Sequence, residues 1–381
     1  MYDEGEEMKV LYDHQIFQME NIGGISRYFA ELLKYNPMLE LSLKYSNNIY
    51  LQKKHFRDNN MLPKNYTFNT LFRNFNFKGK RHLVKYYTKL LNKSNLSMSI
   101  GNLKKSDYDI FHPTYYDPYF LPYLKGKPFV LTVHDMIHEL FPSYFAKDKF
   151  TIAYKRKLVC SADKINVNSE QTKKDLIRVY PDVCEKITVV YHAFSFPIAL
   201  TERVIGNYVL FTGSRIGYKN FINFVCAIAP LLLKYELRLV CTGQPFSTNE
   251  LALLQDLNII DKAVSVLASE DELIKLYARA NVFVFPSLYE GFGIPVLEAF
   301  ATGCPAILAN AGSLPEIGAN AAVYFDPYSI DDMRSQIDNV LGSPSLQSEM
   351  IRKGKERARY FSWEKCAKET IGVYKSILVS N

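Results

Sequence analysis

Short runs of apolar residues alternate along this chain with longer segments in which apolar side chains recur at helical spacing. A first series of apolar runs occupies residues 8–13, 109–112, 129–133, 164–168 and 187–191. A second series occupies residues 208–212, 237–242, 282–285, 306–309 and 322–325. Buried parallel strands alternating with amphipathic helices give this pattern. The sequence therefore predicts an α/β protein with two Rossmann-like, doubly wound domains.

The pattern lapses between residues 194 and 206, where Pro197 lies, and this lapse predicts a linker. We therefore expect an N-terminal domain over residues 8–194, a linker over 195–207, a C-terminal domain over 208–361 and a last helical segment over 362–381. Each half opens with a strand, a glycine-containing loop and a helix. Ligands of such sheets bind beyond the carboxyl ends of the strands. Two such domains facing each other would form a cleft suited to a reaction between two substrates.

The composition agrees with a globular protein of this size. The 381 residues are 48% hydrophobic and 22% charged, which is ordinary for a chain of two domains. No apolar run is long enough to span a membrane, and the N-terminus lacks the apolar core of a signal peptide, so we expect a cytoplasmic protein. The six cysteines form no CxxC pair and have no metal-ligand spacing with a histidine, which favours reduced thiols.

Basic charge is concentrated in residues 51–105, which hold thirteen lysines and arginines against one acid, Asp58. Aromatic residues such as Phe56, Tyr66 and Tyr86 are interleaved with them. This combination suits an anionic membrane surface or a phospholipid-like acceptor. A solvated basic helix face is the alternative. We do not expect a nucleic acid as partner, because no nucleic-acid-binding motif accompanies the charge.

The strongest chemical signal is SLYEGFGIPVLEAFATGCP, residues 287–305. A buried strand precedes it, and Gly291 and Gly293 permit a ligand to approach the backbone closely. The free N–H groups and the dipole at the start of the following helix favour an anion such as a diphosphate. Glu290 and Glu298 could accept hydrogen bonds from the hydroxyls of one ligand. A solvated helix position is the alternative for Glu298.

A second signal is TGSRIGYKNF, residues 212–221. Arg215 and Lys219 follow a strand and precede a helix in this segment. Two cations at that place could neutralise a diphosphate leaving group. Two solvated loop cations are the alternative.

Together these motifs resemble family 4 of the glycosyltransferases, the large retaining family with the GT-B fold, in which two Rossmann-like domains face each other across a cleft. The E-x7-E pattern is Glu290 to Glu298, and GSRIGYKN at 213–220 resembles the phosphate-binding loop. GGISRYF at 23–29 is similar to the N-terminal glycine loop. TVHDMIHELFP at 132–142 is similar to the segment that carries the cleft histidine in bacterial polysaccharide members. The resemblance extends from Met8 to the C-terminus.

The resemblance implies a role for each matching residue. Glu298 would bind the ribose hydroxyls of the nucleotide, and Glu290 would hold the transferred sugar. Arg215 and Lys219 would stabilise the departing diphosphate. The donor would also contact Gly213, Ser214, Gly291, Phe292, Gly293, Ile294, Pro295 and Val296, and its base would lie near Gly243 and Leu267. The last helix, with Trp363, would return to the N-terminal domain.

On the N-terminal side, the resemblance places His134 at the reaction centre and lets the loop at Gly23 and Gly24 approach the phosphates or the acceptor. A structural role is the alternative for His134, because it follows an apolar strand. His14 and His112 also lie near strand ends and are candidates for lining the acceptor side.

The family's reaction retains the anomeric configuration. The resemblance therefore implies front-face attack assisted by the leaving phosphate, with no metal and no cofactor. A double displacement through Glu290 remains open. The donor would be GDP-mannose-like or a UDP-hexose. The acceptor would be a saccharide, lipid-linked at the inner membrane face, in bacterial O-antigen or capsule synthesis.

Other functions fit parts of the sequence. Asp107 and Asp109 form a DxD pair of the kind that holds a metal in GT-A transferases, although here it precedes a strand. A GT-B phosphorylase, a nucleotide-sugar epimerase or a non-catalytic nucleotide-sugar-binding subunit would share the fold. A nucleotide-dependent oxidoreductase is disfavoured, because DHQIFQMENIGGIS stands where GxGxxG would follow the first strand.

Overall fold

The computed structural model of the chain describes residues 8–52, 80–146, 148, 150–199 and 205–379. The described strands of the first domain are β1 (Val10–Tyr12), β2 (Leu39–Leu41), β3 (Ile110–His112), β4 (Val130–Val133), β5 (Lys164–Val167) and β6 (Ile187–Val189). They form two parallel sheets with the orders β2-β1-β3 and β4-β5-β6. A parallel bridge between Phe111 and Phe129 connects the two sheets.

The second domain has one parallel sheet with the order β12-β11-β10-β7-β8-β9. Its strands are β7 (Tyr208–Phe211), β8 (Arg238–Thr242), β9 (Ala263–Val266), β10 (Val282–Phe285), β11 (Ala306–Ala309) and β12 (Val323–Phe325). The chain order reverses between β7 and β10, which are neighbours in the sheet. Such a reversal opens a crevice at the carboxyl ends of the strands, where ligands of doubly wound sheets bind.

Helices connect the strands, because a parallel pair requires a crossover. In the first domain they are α1 (Gln15–Met19), α2 (Gly24–Tyr35), α3 (Lys80–Lys105), α4 (Ile137–Leu140), α5 (Thr151–Ser161) and α6 (Glu170–Val179). In the second they are α7 (Phe221–Lys234), α8 (Thr248–Asp256), α9 (Glu270–Arg279), α10 (Ile294–Ala301), α11 (Leu314–Gly318), α12 (Ile330–Leu341) and α13 (Pro344–Ala358).

The last helix, α14 (Trp363–Val379), packs on α2 in the first domain. The hydroxyl groups of Tyr374 in α14 and Tyr12 in β1 lie 2.7 Å apart, and both side chains are fully buried. The C-terminus of the chain thereby completes the core of the N-terminal domain. The two domains are connected by the chain at residues 194–206 and again just before α14.

The apolar runs predicted every central strand, but they missed two edge strands. Strand β2 contains the exposed residue Glu40 and lies at the edge of its sheet. Strand β9 lies at the edge of the other sheet, and none of its residues is fully buried. An edge strand is covered on fewer sides, so it lacks the continuous apolar run that a central parallel strand shows.

The basic segment falls partly outside the described residues, at 53–79. Nearly all of the rest is α3, a helix that buries only Leu91, Asn95, Ser99 and Leu103. These positions repeat every four residues, so α3 packs along one narrow stripe and its lysines face solvent. Within the described ranges, no helix combines the length and apolarity that crossing a bilayer would require.

Candidate active site

Two helix N-termini meet across the cleft between the domains. Helix α10 begins after Gly293, whose φ of 99° is in the left-handed region that favours glycine. Helix α2 begins at Gly24, and a Cβ placed on Gly24 would lie 3.8 Å from Ile294 Cδ1. The starts of two helices, where the helix dipoles are positive, therefore lie close to each other. A diphosphate is an anion of the kind that such a space binds.

The loop between β10 and α10 is held in place by the first domain. The carbonyl oxygen of Gly291 accepts hydrogen bonds from Ser169 Oγ at 2.7 Å and from Thr172 Oγ1 at 3.1 Å. A Cβ at Gly291 would overlap the carbonyl oxygen of His134. Gly291 is therefore required for the close approach of the two domains at this point. The neighbouring residue Phe292 is buried, together with Val296 in the first turn of α10.

Glu298 lies one turn into α10, and its side chain is only 8% exposed. Its Oε1 atom accepts a hydrogen bond from Arg27 Nη1 of the first domain at 3.2 Å. Burial raises the pKa of Glu298 to about 7, although Arg27 acts in the opposite direction. Arg27 also pairs with Glu270 at the start of α9. Glu298 is thus a buried carboxylate at the cleft, not the solvated helix residue that was the alternative.

Lys219 and Glu290 lie on loops that follow the neighbouring strands β7 and β10. The Lys219 Nζ and Glu290 Oε1 atoms are 2.6 Å apart, and both side chains are 14% exposed. Burial disfavours the charged form of Lys219, but the Glu290 carboxylate and Tyr218 together outweigh burial and raise the pKa of Lys219. The residues predicted to hold the sugar and the diphosphate therefore neutralise each other in this structure.

Arg215 has different partners from Lys219. Its Nε donates to Glu250 Oε1 at 2.7 Å, and its Nη2 donates to the carbonyl oxygens of Gln244 and Pro245 at 2.6 and 2.9 Å. Arg215 is therefore fixed to the loop after β8, whereas Lys219 is fixed to the loop after β10. The structure places these two predicted phosphate cations on opposite sides of β7.

The region predicted for the base lies at the carboxyl ends of β7, β8 and β9. Gly213 and Gly243 have φ values of 101° and 119°, and a Cβ on Gly243 would lie 3.3 Å from the Gly213 carbonyl oxygen. Ser214 is exposed beside them, and the Leu267 side chain is 68% exposed. Two glycines thus keep two loops close together, next to an apolar side chain that is open to a ligand.

His134 lies at the end of β4 and is buried. Its ring contacts Tyr28 and His192, with ring centroids 5.4 and 5.3 Å apart. Burial lowers the pKa of His134 well below the usual range, so its imidazole is neutral at physiological pH. Its Nδ1 atom has no hydrogen-bond partner among the described residues. The backbone carbonyl of His134 thus lies against Gly291, while its ring packs beside Tyr28 and His192.

His112 requires a correction. It is fully buried, and its two ring nitrogens contact the hydroxyls of Tyr374 at 2.8 Å and Thr132 at 2.9 Å. Burial also lowers the pKa of His112 to about 3. Because α14 covers this strand end, His112 belongs to the core and does not line the acceptor side, contrary to the prediction from its place after β3.

His14 is buried at the edge of a cavity, whereas Gly23 and Gly24 are more exposed. His14 Nδ1 is 2.7 Å from Ser99 Oγ, and the ring borders a cavity of about 710 Å³. Lys85, Lys89 and Lys93 of α3 form the opposite wall of this cavity, and Asp117 is its one acidic lining residue. A Cβ at Gly23 would overlap the carboxylate of Glu20, which accepts a hydrogen bond from the Ser26 N–H at 3.1 Å.

The DxD pair lies away from these residues. Lys9 Nζ donates to Asp107 at 3.0 Å, and the backbone N–H of Lys9 donates to Asp109 Oδ2 at 2.9 Å. The described part of the chain contains no cluster of three or more histidine, cysteine or acidic side chains that could hold a metal ion. Asp107 and Asp109 thus fasten the start of β1 to the start of β3.

Sequence reasoning missed Arg27 and Glu250. Arg27 stands in the GGISRYF motif, one turn after Gly24, and a cation at that place on a helix facing the cleft was the available signal. Glu250 belongs to the Ser247 capping box at the start of α8. The sequence explains Glu250 by this local capping role, so it gives no sign of the contact with Arg215.

Comparisons with known proteins agree with this geometry. Residues 198–357 match the family "Glycosyl transferases group 1", and residues 64–195 match "Glycosyltransferase Family 4". O-antigen chain mannosyltransferase B of Escherichia coli is 28% identical over 288 residues, which cover 71% of this chain and 74% of that protein. O-antigen chain mannosyltransferase RfbU of Salmonella typhimurium is 27% identical over 229 residues, covering 60% and 64% of the two chains.

A solved structure shows the same fold. Anabaena HepE, in a complex with UDP and glucose, has a TM-score of 0.71 at 16% identity and covers 97% of this chain and 100% of its own. The predicted GT-B architecture is confirmed by this likeness and by the two parallel-sheet domains.

Proposed function

This chain belongs to the group 1 and family 4 glycosyltransferases, and from that premise we propose that it moves a hexose from a nucleoside diphosphate sugar to a saccharide acceptor. The observation that carries the proposal is the grouping of Glu290, Lys219 and the start of α10 beside the buried Glu298. Carboxylates suit the hydroxyls of sugar and ribose, and a lysine beside a helix N-terminus suits a diphosphate. Arg27 of the first domain reaches Glu298, so this grouping lies where the two domains meet.

The proposed reaction retains the anomeric configuration by front-face attack. Charge would develop on the diphosphate as the glycosidic bond breaks, and Lys219 and the N–H groups at the start of α10 would stabilise it. The leaving phosphate would accept the proton of the acceptor hydroxyl. His134 is neutral, so it would shape the site next to Gly291 rather than supply charge. Neither a metal nor a cofactor has a role in this mechanism.

The donor is proposed to be GDP-mannose-like, with a UDP-hexose as the second possibility. Two relatives are named as mannosyltransferases of the O-antigen chain, which supports a mannose donor and a role in cell-surface polysaccharide synthesis. Anabaena HepE holds UDP and glucose, which supports the alternative. The base would lie over Leu267, next to the glycines at 213 and 243.

A thermal-shift screen against UDP, GDP, ADP and CMP tests the donor site. A ligand that binds only the folded state stabilises it, by about 2.7 kcal/mol at a hundredfold excess over its Kd. We expect GDP to give the largest shift and Glu298→Ala to abolish it. Glu349→Ala, at an exposed position on α13, is the matched control and should keep the full shift. If none of the nucleotides shifts the wild-type protein, the proposed donor site is wrong.

The acceptor is proposed to be a saccharide on an anionic lipid carrier at a membrane surface. The cavity beside His14 supports this proposal, because Lys85, Lys89 and Lys93 line it from successive turns of α3. None of these lysines has an ion-pair partner within the described residues. Three cations on one helix face attract a phosphate-bearing headgroup.

Vesicle binding tests this acceptor proposal. The triple change of Lys85, Lys89 and Lys93 to Glu should abolish sedimentation with phosphatidylglycerol vesicles while the GDP thermal shift persists. The control changes Lys365, Lys368 and Lys375 to Glu, since these lysines are exposed on α14 and remote from the cavity. Equal loss in both triple variants would reject a specific role for the cavity.

A further inference from the structure

We propose that Arg27 is a positioning residue, which couples donor binding at Glu298 to the closure of the two domains. This inference rests on the proposed function, because it takes Glu298 as the carboxylate that binds the ribose hydroxyls. Arg27 is not placed in contact with the reacting atoms. Its role is to act through Glu298.

The contacts of Arg27 join the two domains. Arg27 lies on α2 of the first domain, whereas its partners Glu298 and Glu270 lie on α10 and α9 of the second. The side chains of Arg27 and Glu298 are each 8% exposed. These are the interdomain ion pairs that the described residues form across the cleft. Both helices, α2 and α10, begin next to a glycine. Arg27 lies about one turn after the start of α2, and Glu298 lies about one turn after the start of α10.

The charges around Glu298 make Arg27 decisive for its ionisation. Glu298 faces Arg27 from α2, and Glu270 and Tyr277 from α9. Arg27 in turn faces Tyr50, whose ring centroid is 5.3 Å from the guanidinium carbon, and Glu31 on its own helix. Burial opposes the carboxylate form of Glu298, and Arg27 is the cation in contact with it. Removing one member of a buried ion pair leaves an uncompensated charge, which is strongly unfavourable.

The same helix leads from the cleft to the place where the chain passes between the domains. Glu31 lies one turn after Arg27 and accepts a hydrogen bond from Ser195 Oγ at 3.3 Å. Trp363 Nε1 donates to the same Ser195 Oγ at 3.0 Å. Ser195 belongs to the first connection between the domains, and Trp363 is the first residue of α14, directly after the second connection. A change in the position of α2 at Arg27 is therefore transmitted to both connections through one rigid helix.

The local packing leaves space for such a movement. A cavity of about 470 Å³ lies between α2 and the two connections, lined by Glu31, Lys34, Tyr50, Phe196, Phe361 and Trp363, among others. Domain closure in two-domain enzymes is absorbed by a few residues at such connections. The ion pair of Arg27 with Glu298 would hold the closed arrangement. A nucleotide that uses the same carboxylate requires Arg27 to keep Glu298 ionised.

Trp363 offers a direct readout, because it is the single tryptophan of the chain. Wild-type protein is titrated with GDP and with UDP, at about pH 6, 7 and 9, while tryptophan emission is recorded. We expect a saturable change in emission and a nucleotide affinity that increases as the pH rises through about 7, where Glu298 ionises. Arg27→Met should weaken nucleotide binding about tenfold or more at neutral pH and reduce the change in tryptophan emission. At the highest pH, where Glu298 ionises without help, the variant should regain much of its nucleotide affinity. Arg27→Lys keeps the cation and should restore both.

The control for Arg27 is an arginine that faces solvent. Arg352→Met removes an exposed arginine of α13 and should behave like wild type. If Arg27→Met weakens binding by the same factor at every pH, or if Arg27→Lys fails to restore the emission change, Arg27 is only structural and the inference is overturned. If wild type binds nucleotide and Arg27→Met binds it equally, the inference fails while the proposed function stands. If wild type binds neither nucleotide, both fail.

Discussion

Lys219 and Glu290 form an ion pair of 2.6 Å between loops that leave neighbouring strands of the C-terminal sheet. The two residues are predicted to serve different parts of the donor, the diphosphate and the sugar. Each therefore has to exchange its present partner for a substrate group. The pairing keeps both charges neutralised in a cleft where little solvent reaches them.

Glu290→Gln is expected to separate nucleotide binding from transfer. The change releases Lys219 from its carboxylate partner, so a nucleoside diphosphate should bind up to about tenfold more tightly. Transfer should fall by about a hundredfold or more, because the sugar loses its carboxylate contact. Calorimetric titration with GDP or UDP and a transfer assay measure the two effects. Weaker nucleotide binding in Glu290→Gln would show that the ion pair assists the diphosphate site instead of competing with it.

Glu298→Gln is expected to remove the pH dependence that Glu298 gives to the stability of the empty protein. The pKa of Glu298 is raised by burial to about 7, so the folded state holds its proton more tightly than the unfolded state does. Wild type therefore loses stability as the pH rises towards and through about 7, and the glutamine variant does not. Between about pH 5 and about pH 8, the free energy of unfolding of the glutamine variant should rise relative to wild type by on the order of 2 kcal/mol, on top of a pH-independent loss because Arg27 no longer pairs with a carboxylate at this position.

Urea unfolding of Glu298→Gln and wild type across this pH range measures the effect. Glu349→Gln, on the exposed face of α13, serves as the control and should show no growing difference. The glutamine variant should also lose its thermal shift with nucleotide. A difference that shrinks as the pH rises would mean that Glu298 is ionised in the folded protein throughout.

Gly291→Ala is expected to impair closure of the cleft without unfolding either domain. A methyl group at this position would overlap the carbonyl oxygen of His134, which belongs to the other domain. Transfer should fall by about tenfold or more, since a small misplacement of reacting groups is costly. Gly101→Ala is the control, because a Cβ there meets no atom within 4 Å. Small-angle scattering measures closure of the cleft in the two variants, and a transfer assay measures their activity. Full activity in Gly291→Ala would contradict the role of Gly291 in the close approach of the domains.

Chelation is expected to leave transfer unchanged. Excess EDTA should not reduce activity, because the proposed leaving-group stabilisation comes from Lys219 and the start of α10.

Asp107→Asn tests the DxD pair directly. Its carboxylate bonds Lys9 and is 78% exposed, so the variant should keep its activity and lose little stability. An EDTA-sensitive enzyme whose activity also fell in Asp107→Asn would restore the metal-dependent alternative.

Much of the chemistry was predictable because it is local. One short stretch of chain contains strand β10, then the loop at Glu290, then the start of α10. Because these elements are consecutive, their order along the chain fixes their geometry. The glycine at 293 and the proline at 295 mark the helix start without any tertiary information. Edge strands β2 and β9 were missed for the opposite reason, since their stability comes from one neighbour and not from an apolar run of their own.

The sequence by itself determined the two parallel-sheet domains, the glycine loops and the residues that stand at strand ends. The tertiary structure decided which of those strand-end residues reach the cleft. His112 is buried because Tyr374, 262 positions later, packs on it, and Glu298 is neutralised by Arg27, 271 positions earlier. Hydrophobic periodicity reports whether a position faces a core, but the partner that covers or neutralises a strand end comes from a distant part of the chain. Only the folded molecule brings that partner into place.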